Sequence, residues 1–326
     1  MALSLNELFG RADFLPDTID FAEKRLNFVQ ADRSRVEQLP FIDGREPLGK
    51  AGPSVSLADA LATEWERPRE PDRYIFHVGF CGSTFLATVL QHAGVFALRE
   101  PRILIDVSDA YEASPTDPAV PQLVYLAADL LRRPWRPDEP VVCKPSNWCN
   151  NLIPVLLAPE RKARAVFITA TPHEYLVAAL RGGSGRIENV ARTAHHLLGS
   201  TPNGLEQWNE VMRSTADPLD RGARLALVAL RASLTAFGPH AKSTFTLHEL
   251  NERPREVVSA VARALQLDTN EAAIEAAIGH VGGAHSKQPD ASYSIGERTS
   301  LDRKVEEEHG AVIGSALGWA EQALGF

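Results

Sequence analysis

Cysteine is scarce in this chain, with Cys81, Cys143 and Cys149 the three in 326 residues. They form no C-x-x-C pair and are odd in number, which argues against a disulfide framework. No H-E-x-x-H occurs, and His280 and His285 are not at i, i+4 spacing, so no metal site is expected. Long apolar runs are missing as well, which excludes a bilayer-spanning segment from the expectations. The N-terminal MALSLNELFGRADF carries charge too early for a secretory signal, so the expected compartment is cytoplasmic. Positive charge is the minority: 34 Lys and Arg against 42 Asp and Glu leave a net charge of −8. That balance argues against broad nucleic-acid binding, but it leaves room for a small basic pocket around an anionic ligand.

What is present suits a soluble globular enzyme or binding protein, with 44% hydrophobic and 23% charged residues and length enough for a large core. The most informative stretch is Tyr74 to Asp106, YIFHVGFCGSTFLATVLQHAGVFALREPRILID. Tyr74 to Val78 has the aromatic and β-branched character of a buried strand. The small-residue turn Gly79-Phe80-Cys81-Gly82-Ser83-Thr84 follows. Phe85 to His92 then carries an apolar stripe of Phe85, Leu86, Val89 and Leu90. Strand, glycine-bearing turn and helix in that order aim backbone N–H groups at an anion.

Residues 1–70 read as a helical extension ahead of a domain spanning 71–326. Asp17 to Val29 has helical spacing, and Ser56 starts a short helix as its N-cap. Further strands are expected at Val95–Leu98, Val141–Lys144, Ala163–Thr169 and Ser243–Leu247. Helices are expected at Ile103–Ala110, Gln122–Arg132, Tyr175–Arg181, Glu188–Leu198, Arg221–Ala236, Arg253–Leu265 and Val305–Leu324. Gly182–Gly185 and Ala284–Gly296 read as loops. Alternation of strand and helix predicts an α/β fold with a doubly wound parallel sheet, its ligands at the carboxyl ends of the strands.

A Walker A loop would place a lysine before the final Ser/Thr, and none stands in Gly79 to Thr84. The stretch HVGFCGSTFLATVLQHAGVFALREPRIL instead resembles the opening of P-loop sulfotransferases, nearest their bacterial and tyrosylprotein branches. VVCKPSN, AVFITATPHEYLVAAL and TFTLHELNERPREVVSAVARALQL are similar to the family's later units, so the resemblance runs from about residue 74 to 324. It implies a P-loop NTPase-like fold and sulfuryl transfer from 3′-phosphoadenylyl sulfate (PAPS), with adenosine 3′,5′-bisphosphate (PAP) as product. The acceptor implied is a small molecule or peptide bearing a hydroxyl or amine. Gly79, Cys81, Gly82, Ser83, Thr84 and Phe85 are then the cofactor cradle, and Glu100 the general base. Ser146 stands where the cytosolic branch has its catalytic histidine.

The chain departs from the family pattern at three anion ligands. Phe80-Cys81 stand where a cation is expected, and Ala170 and Ala178 where an Arg and a Ser would hold the 3′-phosphate. Arg181, Arg186 and Lys287 are the candidate replacements. Lys144 ends a strand, where a lysine can meet an anion or merely reach solvent. Glu100 can equally pair with Arg99 or Arg102, Ser83 or Thr84 can simply cap a helix, and Cys81 can be a reactive thiol or a small buried residue. Two other readings stay open: a nucleotide phosphotransferase or hydrolase, and a non-catalytic nucleotide-binding homologue.

Overall fold

Five short strands rich in Val, Ile, Phe and Ala build the centre of the molecule, seen here in a computed structural model. It describes residues 3–201, 203–240, 243–281, 284–285, 288–292 and 295–326. The central strands are β4 (Arg73–His77), β5 (Phe96–Arg99), β6 (Val141–Lys144), β7 (Arg164–Thr169) and β8 (Thr244–Thr246). They lie in the order β5-β6-β4-β7-β8, every neighbouring pair parallel. Strands β4, β5 and β6 are buried along their whole length, as a parallel sheet covered by helices on its faces requires. Counted along the chain, these five run 2-3-1-4-5 across the sheet. The chain therefore leaves β4 toward one edge and later fills the other, which opens a crevice at the carboxyl ends. The expected α/β class and parallel sheet are what the structure has.

Ahead of this sheet the expected helix over Asp17–Val29 is a hairpin instead. β1 (Phe14–Asp20) and β2 (Arg25–Ala31) pair antiparallel, with Ile19 opposite Leu26, and β3 (Gly49–Ser56) pairs with β2. The helical spacing misled because Phe21–Lys24 is a turn, with Lys24 at φ 51°, and because Leu26 and Phe28 alternate inward as a strand does. The extension is thus a three-stranded sheet with short helices, among them Leu57–Ala62, which Ser56 does cap. Two more helices, Gly204–Ser214 and Glu271–Val281, lie where no element was expected, and the expected loop after Ala284 contains a pair of strands. Among the described residues no helix is long and apolar enough to cross a membrane.

The N-terminal sheet is riveted to the rest by buried guanidinium groups that donate to main-chain carbonyls. Arg133 follows the helix Ala119–Leu131 and donates to the oxygens of Leu8 (3.2 Å), Phe9 (3.1 Å), Arg11 (2.8 Å) and Phe14 (2.5 Å). A further donation holds Leu130 O at 2.6 Å. Arg99, at the end of β5, donates to Val36 O and Glu37 O at 3.2 and 2.6 Å. Burial pulls the pKa of both groups down; the Arg133 fork spends its donors on carbonyls, whereas Arg99 leaves its Nε without an acceptor. Arg133→Ala is expected to lower unfolding stability by about 3–5 kcal/mol in a denaturant titration, because several buried carbonyls lose their donor together. Arg133→Lys recovers little, since a single ammonium cannot span the same oxygens. Full recovery by lysine would show that the charge alone matters.

Candidate functional site

The site grows from one loop at the carboxyl end of β4. Gly79 (φ 84°), Phe80 (φ 56°) and Gly82 (φ 80°) all take left-handed backbone, and the helix Ser83–His92 starts at once. Two glycines adopt this geometry without steric cost; Phe80 does not, and a strained non-glycine residue at a strand end is a common mark of a functional loop. Gly82 caps the helix without a side-chain hydrogen bond, and Ser83 turns its N–H and its hydroxyl toward the Cys81 sulfur. Ser83 and Thr84 are buried beneath this turn, and Phe85 is half-buried. A Cβ at residue 82 would come within 2.8 Å of Leu250 Cδ2, and one at residue 79 would lie 3.5 Å from Asn147 Nδ2. The loop is therefore walled by Leu250 of the helix Leu247–Glu252 and by Asn147. Cys81 is buried too, and burial pushes its thiol up, so it packs and is no exposed nucleophile.

Neighbouring strand ends bring a charged pair beside the loop. Register places Arg99 opposite Lys144, and Glu100, the next residue, turns back with φ 58° while its N–H donates to Lys144 O at 2.6 Å. Lys144 is 1% exposed and its Nζ donates to Glu100 Oε1 at 2.5 Å. Glu100 thus pairs with neither Arg99 nor Arg102 by any hydrogen bond found here; its partner is the other candidate residue. Ser146 stands two residues beyond, half-buried, opening the 3₁₀ turn Asn147–Leu152 and accepting Cys149 N–H at 2.9 Å on its carbonyl.

Sequence reasoning passed over His77. Its Nδ1 accepts the Gly79 N–H at 3.0 Å, so Nε2 carries the proton, 3.1 Å from Pro145 O and 3.8 Å from Glu100 Oε1. One imidazole therefore ties the loop, the end of β6 and the carboxylate together. The available signal was a histidine inside the otherwise apolar run Tyr74 to Val78.

Arg186 comes to the loop from the other side. Its guanidinium lies 5.1 Å from the centroid of the Phe80 ring and donates to Ala178 O at 2.7 Å. Burial, with Arg181 nearby, lowers its pKa. The expected loop Gly182–Gly185 is instead the start of the helix Gly183–Gly199. Gly182 is small for a reason: a Cβ there would fall 2.1 Å from Arg186 Nε, so glycine lets the arginine fold back. Arg181 is committed to Asp302 on the C-terminal helix Ile295–Ala323. Lys287 lies outside the described residues. Ala170 and Ala178 are both buried, Ala170 within the apolar core. Among the described residues no group of three or more His, Cys, Asp and Glu could hold a metal ion. A cavity of about 270 Å³ lined by Trp65, Arg67, Tyr125, Asp129 and Arg161 includes none of the loop residues.

Behind the site sits a buried polar knot. Ser108 Oγ is 2.8 Å from His196 Nε2 and 2.7 Å from Asn151 Oδ1. Asn151 Nδ2 donates to Ser108 O and to Ser200 Oγ, both at 3.0 Å. His196 Nδ1 is 3.8 Å from Asp109, and Trp148 stacks on the imidazole at 4.1 Å while donating to the same Asp109 at 2.7 Å. The arrangement looks like a Ser–His–Asp triad, but Ser108 is 0% exposed and boxed in by Asn151, so no carbonyl can reach it. It is a clamp. It joins the helix that follows Glu100 (Arg102–Ala113), the turn that follows Ser146, and the helix that carries Arg186.

Two outcomes follow from this geometry. Gly82→Ala is expected to cost about 1–3 kcal/mol by denaturant unfolding, from left-handed strain and the contact with Leu250; an unchanged midpoint would mean the loop is free to relax. His196 is pushed down from 6.5 to about 4, by burial first and by His195 next. Its folded pKa is below its unfolded one, so the clamp's contribution is complete above pH 6.5 and is lost as pH falls toward 4. That amounts to about 3 kcal/mol. Asp106, raised to about 6 by burial, works the opposite way over pH 4–6, so the readout is the difference between wild type and His196→Gln. The variant's deficit should shrink steadily as pH drops from 7 to 4, and a constant deficit contradicts the neutral buried imidazole.

No protein-family model matches this chain, and no curated protein matches it. Among solved structures it is similar to a sulfotransferase domain from the curacin biosynthetic pathway. That match has 12% identity over 79% of this chain and 98% of that one, with a TM-score of 0.40. It is also similar to retinol dehydratase complexed with retinol and PAP, at 13% identity over 80% of this chain and 85% of that one, TM-score 0.32. A third similarity is to retinol dehydratase complexed with androsterone and the inactive cofactor PAP, at 14% identity over 80% and 84%, TM-score 0.34.

Proposed function

We propose that this protein is a sulfotransferase-like enzyme that takes PAPS on the loop Gly79–Thr84 and moves its sulfuryl group to a hydroxyl or amine. The observation that carries the reading is the position of Arg186. The sequence lacks a cation in the loop, at Phe80-Cys81, and a hydroxyl at Ala178. One guanidinium lies over the Phe80 ring and binds the Ala178 carbonyl, so a single cation serves both gaps. The donor set suits a phosphosulfate: first-turn N–H groups, the Ser83 and Thr84 hydroxyls, Arg186 with its planar fork, and Lys144 close by. The glycine cradle supports the same fit, because a Cβ at Gly82 would clash with the wall that shapes it.

When bound, PAPS supplies the sulfuryl group and a phosphate leaving group. The residues of this chain do the rest. The loop N–H groups, the Ser83 and Thr84 hydroxyls and Arg186 would hold the anionic groups of PAPS. Lys144 Nζ, fixed on Glu100 Oε1, offsets charge on the phosphate side. Glu100 Oε2 would take the proton of the acceptor's hydroxyl or amine, while the sulfur–oxygen bond to the phosphate breaks and the phosphate side carries the charge away. His77 keeps the carboxylate and the loop at a fixed separation.

Thermal-shift titration tests the reading. PAP is expected to stabilise the protein by about 2.7 kcal/mol at a hundredfold excess over its Kd, while ATP and GTP with magnesium do less. Arg186→Ala should weaken PAP by roughly 10- to 100-fold with little loss of stability, as a charge-assisted hydrogen bond to a phosphate would. Stabilisation by magnesium–triphosphate instead of PAP would favour a phosphotransferase or hydrolase. PAP binding without transfer to any acceptor would favour a non-catalytic homologue, for which the mutual pairing of Glu100 and Lys144 is the supporting contact.

A further inference from the structure

We infer that Phe41, from the N-terminal sheet unit, is a positioning residue of the candidate site: its ring holds the Lys144 ammonium in place against Glu100. The Lys144 Nζ lies 5.6 Å from the Phe41 ring centroid and 2.5 Å from Glu100 Oε1. The segment that carries Phe41 is fixed where it stands. Ile42 N–H donates to Arg99 O at 2.8 Å, and Ile42 O accepts from Arg102 N–H at 3.1 Å. Those two bonds bracket Glu100 and Pro101, so the extension is laced onto the backbone on either side of the candidate base. Gly44, at φ 87°, lets the chain pass so close to Arg102 that a Cβ would fall 2.6 Å from its Cδ.

A lysine ammonium is a compact charge on a flexible stem, and one hydrogen bond to one carboxylate oxygen leaves it free to swing. Burial makes that freedom costly, because the charge needs favourable contacts on more than one side. An aromatic face supplies a second contact. Unlike a second carboxylate, it does so without cancelling the positive charge. Arg45 shares the same ring, 4.8 Å from its centroid, and is held by Asp43 at 2.7 Å. Glu100 contributes to the raised pKa of Arg45, behind Asp43 as the main cause, so the second cation also faces the candidate site. The N-terminal unit thereby finishes a site whose other parts come from the parallel sheet. The use of Lys144 toward a phosphate rests on the proposed function; the contact that positions it does not.

The experiment reads Lys144 directly, in the full chain and without nucleotide. Pulse labelling with acetic anhydride is followed by mass spectrometry, with exposed Lys162 as the internal reference. Phe41→Leu keeps bulk but removes the ring, and is expected to raise Lys144 labelling by roughly tenfold or more. Phe41→Tyr should restore the slow wild-type rate. Equal rates in all three proteins would overturn the inference, and so would fast labelling in both variants, since the ring would then not be what holds the ammonium. In case Phe41→Leu does not fold, NMR on wild-type protein supplies a second reading. The Lys144 ε-methylene protons should be moved upfield by the ring, and an unshifted resonance overturns the contact. PAP titration of Phe41→Leu separates the two claims. Weaker PAP binding with faster labelling supports both, whereas normal labelling changes in a protein that never binds PAP would sink the proposed function and keep the positioning role.

Discussion

A lysine ammonium at 1% exposure, at the end of a strand in a parallel sheet, constrains everything around it. Such a charge is tolerated only where the fold surrounds it with compensating groups. Here the carboxylate comes from the adjacent strand end, and it reaches Lys144 only because Glu100 takes left-handed backbone, a conformation that a glutamate does not adopt by preference. The same turn lets the Glu100 N–H close on Lys144 O, so backbone and side chain of one residue bind backbone and side chain of the other. Pro145 then presents its carbonyl to His77, and His77 receives the loop's Gly79 N–H. The loop after β4 is thus tied, through His77 and Pro145, to the strand end where the charge is buried.

Rigidity beyond this pair comes from polar groups that serve main-chain atoms. Arg133 and Arg99 bind carbonyls of the N-terminal unit, which fixes a β-sheet extension with no carboxylate ion pair to either rivet among the described residues. The Ser108–Asn151–His196 clamp does the equivalent job on the other flank, holding three segments that each carry a candidate residue at one end. Fully satisfied buried networks specify one arrangement, because any slip leaves a polar atom unpaired. The triad-like look of that clamp is a by-product: geometry alone resembles catalysis, but the absence of any access to Ser108 decides against it.

Much of this was readable in the residues. Uniform apolar runs identified β4, β6 and β7, since a strand covered on both faces has no alternation to obscure it. The glycines at 79 and 82 marked the loop, and Glu100 and Lys144 were recognisable as charges at strand ends. Their pairing was not, because it depends on β5 and β6 becoming neighbours across about forty residues of chain. The N-terminal hairpin was misread because its inward residues also satisfy a 3.6-residue spacing, and only pairing with β3 resolves the ambiguity. His77 escaped because an isolated histidine in a strand says nothing until its two nitrogens find partners. Phe41 escaped for the same reason: an aromatic residue in a proline- and glycine-rich stretch carries no sign of which cation it will meet.

The relocation of charge is the feature that the local sequence least predicts. The loop from Gly79 to Thr84 carries an apolar pair, Phe80 and Cys81, and no cation of its own. Phe80 nonetheless keeps its left-handed backbone, which is a cost without a benefit unless the ring itself has a use. Its use is visible in its neighbours: the ring packs 5.6 Å from Tyr175 on one element and receives Arg186 from another. The aromatic residue therefore acts as a platform that places a distant arginine over the loop, and Gly182 is kept bare so that the arginine can turn back to it. Phe41 does the same for Lys144 on the opposite side. Each of the two aromatic rings lies against one cation, so the placement of Arg186 and Lys144 is set by packing between segments far apart in the chain.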